Sequence, residues 1–335
     1  MAFLILGILL FLVTAIDITK TTLSSRGGGL LTNGVSRLVW FGFFAAARRR
    51  GDSKLLEYAG QTVLLSVLLT WIACLWMSLF LMLASDSSSV VNDTTKVAAD
   101  LWETFYYAGF TLSTLGVGDY AAAGNGWRVL TSAAAFCGLT FITAAITYIV
   151  PVVSAVSLQN QLSLLITSMG RTPQDILINS WNGSDFSRFY DNASDLRQML
   201  VEHTLNHHAY PVIRCFHNSD ASKNVIPAVA TLDEVLRLLD SVSAKVPQDG
   251  LKRRMLGAAL DQHIQMQRSR YLARVRSEMQ PLAIDTSSLI EAGIPMHPAA
   301  VSKSSDERRT VLSDLLAADG WDWSDVYGDA KERRN

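Results

Sequence analysis

Apolar residues are concentrated in the first half of the chain, in long runs that carry almost no charge. Four such runs cover residues 1–16, 30–47, 58–84 and 129–158. The last two contain no ionised side chain and exceed the roughly 20 apolar residues that cross a bilayer. The first two are shorter and are separated by a polar, Gly-rich stretch. They predict a helical hairpin through the membrane, with two helices lying on its surface as the alternative.

A charge-poor segment at residues 101–113 lies between the two long runs. It is too short to cross the membrane and is predicted to be a re-entrant helix. Irregular backbone at membrane depth is tolerated only where protein or a water-filled path surrounds it. The residues that follow Ser113 are therefore the first place to look for a functional site.

Basic residues predict the orientation. Three arginines and a lysine lie between residues 48 and 54, just before the third apolar run. Because cytoplasmic loops are enriched in Lys and Arg, this side is predicted to be cytoplasmic. The third run then exits outward and the fourth returns, so the chain after Gln159 is expected in the cytosol. The hairpin would place both termini in the cytosol and Ser25 outside.

The second half of the chain has the pattern of a helical soluble domain. Apolar positions recur at helical spacing, for example in residues 232–239, and prolines interrupt them. Residues 251–276 form a basic amphipathic pattern that predicts one long solvated helix. The predicted fold is an all-α membrane protein with an N-terminal hairpin (1–52), a pore domain (53–158) and a mainly α cytosolic domain (159–335).

The motif Thr114-Leu115-Gly116-Val117-Gly118-Asp119 follows the predicted re-entrant helix. It resembles the selectivity filter of potassium channels, whose signature is TVGYG, and the resemblance covers the pore module at about residues 58–158. It implies that the carbonyls of residues 114–117 replace the water around K⁺, with the Thr114 hydroxyl as the innermost ring. Gly116 and Gly118 would supply backbone conformations that only glycine adopts freely. One chain provides a quarter of each ring, so the resemblance implies a homotetramer.

The sequence departs from the family pattern around the filter. Val117 stands where the family usually has an aromatic residue, and Phe110 stands where relatives place an acidic one. Tyr106 and Tyr107 fall where the family often has aromatic donors. Either hydroxyl is a candidate partner of Asp119; aromatic packing is the equal alternative.

The fourth apolar run carries the candidate gate. Gly138 matches the position of a hinge glycine in the family, and a close-packing contact is the alternative. Pro151 predicts a bend because it removes a backbone hydrogen bond. On a helix, Ile142, Ile146 and Val150 share one face, which predicts an apolar cavity lining and a dewetting gate.

Other candidate chemistry is weaker. A net charge of −1 argues against a nucleic-acid partner. His203 and His207 are four residues apart, with Cys215 and His217 beyond, a weak pattern for a metal site; solvated or hydrogen-bonded histidines are the alternative. No dinucleotide fingerprint or Walker motif occurs, so no organic cofactor and no enzyme activity are predicted.

Together these patterns predict a multi-pass, potassium-selective channel of the cell membrane. Its expected partners are three further copies of itself, the lipid bilayer and monovalent cations. Its C-terminal domain is expected to control opening, either through an unidentified ligand or through its own packing. The alternatives are a weakly selective cation channel, and a membrane-anchored sensor or metal-dependent enzyme with a vestigial pore.

Overall fold

The computed structural model describes residues 1–24, 27–271, 279, 281–282, 284–297 and 303–328. It confirms the predicted all-α membrane fold. The α-helices are α1 (Ala2–Leu23), α2 (Leu30–Ala46), α3 (Ala59–Leu83), α4 (Leu101–Leu112), α5 (Asn125–Met169), α6 (Pro173–Ser180), α7 (Ser187–Ala209), α8 (Val225–Asp240), α9 (Gly250–Tyr271), α10 (Ser287–Glu291), α11 (Lys303–Ala318) and α12 (Trp323–Tyr327). Short 3₁₀ helices cover Lys54–Tyr58, Pro211–Cys215 and Ala221–Lys223, and two strands, β1 (Val90–Asn92) and β2 (Tyr120–Ala122), pair antiparallel.

Among the residues that the structure describes, three helices are long and apolar enough to cross a membrane: α1, α3 with the 3₁₀ turn before it, and α5. The second apolar run forms α2, which has 17 residues and falls below this length. The described part of residues 1–52 therefore holds one helix of spanning length, where the sequence predicted a hairpin of two. Ser25, expected outside the membrane, lies beyond the described residues.

Helices α1 and α3 pack antiparallel. Gly7, near the start of α1, lies so close to the end of α3 that a β-carbon there would be 2.8 Å from Met82 Cγ. Near the other end of α1, Asp17 Oδ2 accepts a hydrogen bond of 2.9 Å from Trp71 Nε1. Small residues such as glycine allow membrane helices to approach this closely.

Asp17 is a buried carboxylate within a mainly apolar helix. Besides the bond from Trp71, its two oxygens accept bonds from the backbone N–H of Leu31 at 2.8 Å, from that of Thr32 at 3.2 Å, and from the Thr32 hydroxyl at 2.7 Å. The free N–H groups of the first helical turn favour a carboxylate at this position. Asp17 therefore caps α2 and fixes its start against α1.

The chain forms two compact units. The membrane unit comprises Met1–Trp40, Gln61–Val153 and His208–Cys215, and the C-terminal unit comprises Phe41–Gly60, Ser154–His207 and Phe216–Asn335. The sequence placed the boundary after residue 158, whereas α5 leaves the membrane unit after Val153. It also gave no indication that the short segment His208–Cys215 belongs with the membrane helices.

Helix α8 lies at the centre of the C-terminal unit. It packs against α6, α9, α11 and α12, and all but two of its residues are buried. Helix α9 contributes Leu256, Leu260 and Ile264 to the same core. The sequence prediction of a solvated helix over 251–276 is therefore wrong for α9, which buries one face; residues 272–276 lie outside the described part of the chain.

A buried ionic pair joins α8 to α11. Glu234 is fully buried, and its Oε1 accepts a bond of 2.8 Å from Arg309 Nε. The Tyr327 hydroxyl donates to the other carboxylate oxygen, and the Arg309 guanidinium lies 5.0 Å from the centre of the Trp323 ring. Such a pair is stable only when both charges are matched and hydrogen-bonded, as they are here.

Candidate functional site

Helix α4, the segment predicted to be re-entrant, begins at a reciprocal cap. Asp100 accepts a bond from the Glu103 backbone N–H at 2.8 Å, and Glu103 Oε2 accepts one from the Asp100 N–H at 2.7 Å. This capping box satisfies two N–H groups of the first turn. The 12-residue helix ends at Leu112, directly before the glycine-containing motif.

The backbone alternates through the motif. Thr114, Gly116 and Gly118 have φ angles of 58°, 59° and 88°, in the left-handed region, while Leu115 and Val117 keep negative φ. Glycine adopts positive φ at little cost, which explains why the second and third of these positions are glycines. The positive φ of Gly116 and Gly118 is a conformation that the sequence analysis expected at these two positions.

Tyr106 and Asp119 meet behind this strand. The Tyr106 side chain lies close to the Asp119 carboxylate, and the Asp119 carbonyl accepts a bond of 2.9 Å from the Asp93 N–H. Tyr107 is buried instead and packs edge-on against Phe110, with 5.1 Å between ring centres. Tyr106 is thus the tyrosine beside Asp119, and Tyr107 packs against aromatic neighbours.

A second support was missed by the sequence reasoning. Tyr120 opens β2 and donates a hydrogen bond of 2.5 Å to Glu103 Oε1, so the carboxylate that caps α4 also holds the chain after the motif. The Asp100-x-x-Glu103 spacing could have revealed the cap. Nothing in the spacing revealed Tyr120 as the second partner, because β2 pairs with β1, about 30 residues earlier.

Helix α5 supplies the predicted gate residues. A β-carbon on Gly138 would lie 2.2 Å from the Leu112 carbonyl oxygen, so this glycine is a close-packing contact against the end of α4. Ile146 and Val150 are exposed, Ile142 is half-buried, and α5 continues as one helix through Pro151.

A recess of about 500 Å³ lies behind the motif in the membrane unit. It is bounded by α4, by the strand after the motif and by the start of α5. The lining residues are Tyr107, Phe110, Thr111, Thr114, Gly116, Gly118, Tyr120, Ala121, Ala122, Arg128, Thr131, Ser132 and Ala135.

The predicted metal candidates His203 and His207 lie in a buried cluster on α7. Their ring centres are 4.6 Å apart, and His263 of α9 lies 5.1 Å from His203 and 6.1 Å from His207. The His263 Nδ1 shares a hydrogen bond of 3.1 Å with the Thr204 hydroxyl. Among the described residues no group of three or more His, Cys, Asp or Glu side chains is placed to hold a metal ion.

The cluster predicts acid sensitivity of the C-terminal unit. Burial lowers the pKa of His263 to about 4, and burial together with the nearby His263 holds the pKa of His203 well below its usual range. Since an unfolded histidine titrates near 6.5, the unfolded chain binds more protons between about pH 6.5 and 4. Stability is complete above that range and falls through it, by up to about 3 kcal/mol for His263.

We expect the melting temperature of the full-length protein to fall as pH is lowered from 7.5 to 5. In His263→Asn, whose amide can retain the bond to Thr204, the fall should be smaller. His297→Gln, at an exposed site, should behave like the parent. An unchanged pH dependence in His263→Asn would refute the assignment.

Comparison with known proteins agrees with this geometry. Residues 58–155 match a family model described as "Ion channel". The chain is also 29% identical over 332 residues to the uncharacterized membrane protein YdjJ of Bacillus subtilis strain 168, covering 96% of this chain and 95% of that one. No solved structure matches the chain. Helices α3 and α4, the alternating backbone after α4 and the first part of α5 lie within the matched region, so the likeness to ion channels covers the part of the chain that carries the motif.

Proposed function

We propose that the protein is a homotetrameric, potassium-selective channel whose filter is formed by Thr114, Leu115, Gly116, Val117 and Gly118. The alternating backbone of this strand is the observation that carries the proposal. A K⁺ ion entering a narrow pore loses its water, and carbonyl oxygens on a common axis replace it at similar energy. No side-chain chemistry is needed for this, which fits the apolar Leu115 and Val117.

The exposure of the strand supports assembly from four chains. In the single chain, the Leu115 and Val117 side chains are 69% and 52% exposed, although both lie in the middle of a membrane module. A neighbouring copy packed against this strand would cover them. We expect the mass of the purified protein in detergent to be four times that of the chain; a dimer would contradict the proposal, because each chain carries one filter strand.

Continuity of α5 supports control by the C-terminal unit. The helix carries Ile146 and Val150 in the membrane unit, passes Val153 and extends to Met169 in the C-terminal unit. In the proposed channel, any rearrangement of that unit rotates or pulls four such helices. Ion conduction through an apolar constriction responds to small changes in its radius.

A flux assay tests the selectivity. We expect vesicles containing the purified protein to pass K⁺ at least tenfold faster than Na⁺, and reversal potentials in mixed solutions to follow the K⁺ gradient. The physical reason is that a carbonyl cage adapted to K⁺ compensates its dehydration better than that of the smaller ion.

A weakly selective cation channel is the second candidate, and Val117 favours it. Valine lacks the ring that would brace the strand from behind, and its side chain makes no hydrogen bond. Tyr106 lies beside Asp119, which follows the strand, so this contact supports only the end of the strand. Equal reversal potentials in K⁺ and Na⁺ would establish this second reading.

A further inference from the structure

We propose that α2 does not cross the membrane but lies within the headgroup layer, on the side where α1 ends. Its apolar face would contact acyl chains, and the arginines that follow it would contact anionic lipid headgroups. The proposal is independent of ion selectivity and oligomeric state.

The direction of α1 relative to α3 is the first step. The two helices touch along their length, and residue numbers rise on one as they fall on the other, so they are antiparallel. The end of α1 therefore lies on the same side of the membrane as the start of α3. The contacting pairs are Gly7 with Met82, Thr14 with Cys74, and Asp17 with Trp71.

Connectivity gives the second step. Helix α2 starts beside the end of α1, since Asp17 caps it, and residues 47–58 join it to the start of α3. If α2 crossed the membrane, this linker would have to cross back with Arg48, Arg49, Arg50 and Lys54, which is costly in hydrocarbon. Both ends of α2 therefore lie on one side. The N-terminus lies on the opposite side, which replaces the expectation that both termini share the cytosol.

The surface of α2 is the third step. Leu30, Gly34, Leu38 and Phe41 recur at helical spacing along one face and are exposed, the three larger side chains by 86%, 73% and 63%. Arg37 is the one charge on this stretch of the face. An exposed apolar face of this extent requires a partner. The surface of α1 that adjoins this face would be exposed to lipid. The partner that fits the apolar face of α2 is therefore the boundary of the membrane.

Charge gives the fourth step. Arg48, Arg49 and Arg50 directly follow the helix and are all exposed. An interfacial helix with an apolar face and flanking cations binds anionic headgroups in preference to zwitterionic ones.

Depth measurements on spin labels test the placement. Labels on cysteines at Gly34, Leu38 and Gly42, in a protein whose native cysteines are serines, should show the same depth by oxygen and nickel-chelate accessibility. A β-carbon at either glycine meets open space, so the labels fit without disturbing the fold. In a crossing helix the outer two labels, eight residues apart, would differ in depth by about 12 Å.

The matched control uses α1, which spans. Labels at Ile5 and Val13, also eight residues apart and exposed, should show that difference of about 12 Å. Depths that change steadily from one label to the next along α2 would overturn the proposal. Labels on α2 that are accessible to the nickel chelate but not to oxygen would also overturn it.

The lipid preference has its own test. A fluorophore at Leu38 should be quenched more strongly by doxyl-labelled phosphatidylglycerol than by doxyl-labelled phosphatidylcholine. Replacing Arg48, Arg49 and Arg50 with glutamine should remove the difference while the label depth is retained. Equal quenching by the two lipids in the parent would overturn the anionic headgroup assignment.

Discussion

Gly116→Ala and Gly118→Ala should each abolish potassium flux while the protein still assembles and melts near its normal temperature. Both glycines have left-handed φ, where a β-carbon costs roughly 1–2 kcal/mol per residue. In the proposed tetramer that cost is incurred four times around one axis. The strand should relax to ordinary φ values, which turns one carbonyl ring away from the ion. Flux into vesicles should fall at least a hundredfold.

Gly126→Ala is the matched control for these two variants. Gly126 lies near the start of α5, its φ is not left-handed, and a β-carbon there meets open space. Flux should therefore be retained. Normal flux in either Gly116→Ala or Gly118→Ala would refute the filter assignment. Loss of the assembled protein would instead indicate a folding defect.

Glu234→Ala should lower the melting temperature of the full-length protein by roughly 10 °C. The change leaves the Arg309 guanidinium buried without its carboxylate and removes the acceptor of the Tyr327 hydroxyl. Breaking one side of a buried pair costs about 3–5 kcal/mol. Each kcal/mol shifts the midpoint of a unit of this size by about 2–4 °C.

An exposed pair provides the control. Arg268 Nη1 lies 3.1 Å from Glu307 Oε1, with the two side chains 48% and 70% exposed. Exposed pairs contribute about 0–1 kcal/mol, so Arg268→Ala should lower the midpoint by no more than a few degrees. Equal effects of the two substitutions would show that the buried pair is not the stronger one.

The sequence was most informative where backbone conformation selects the residue. Gly116 and Gly118 could be recognised because left-handed φ at alternate positions leaves few other choices. A short helix before them was also predicted, and α4 is present there with 12 residues. Gly138 was ambiguous, because a glycine in a membrane helix suits both a bend and a close contact, and the Leu112 carbonyl that decides between them is known only from the packing.

The sequence was least informative about partners distant along the chain. Asp17 reads as a polar residue ending an apolar run, yet it accepts a bond from Trp71, 54 residues later. Run lengths could not show that α1 lies antiparallel to α3, and so a hairpin was predicted. Likewise, the basic residues of α9 obscured Leu256 and Leu260, which face α8 in the core.

The segment His208–Cys215 has a practical consequence for dissecting the protein. It belongs to the membrane unit, although the chain on both sides of it belongs to the C-terminal unit. Val212 and Ile213 are buried, and Tyr210 packs against Tyr148 of α5 with 5.7 Å between ring centres. No single cut separates the two units: a soluble fragment beginning at residue 159 would carry these apolar side chains into water, and a pore fragment ending there would lose them. Chimaeras that graft this pore onto another sensor must bring the eight-residue segment with it.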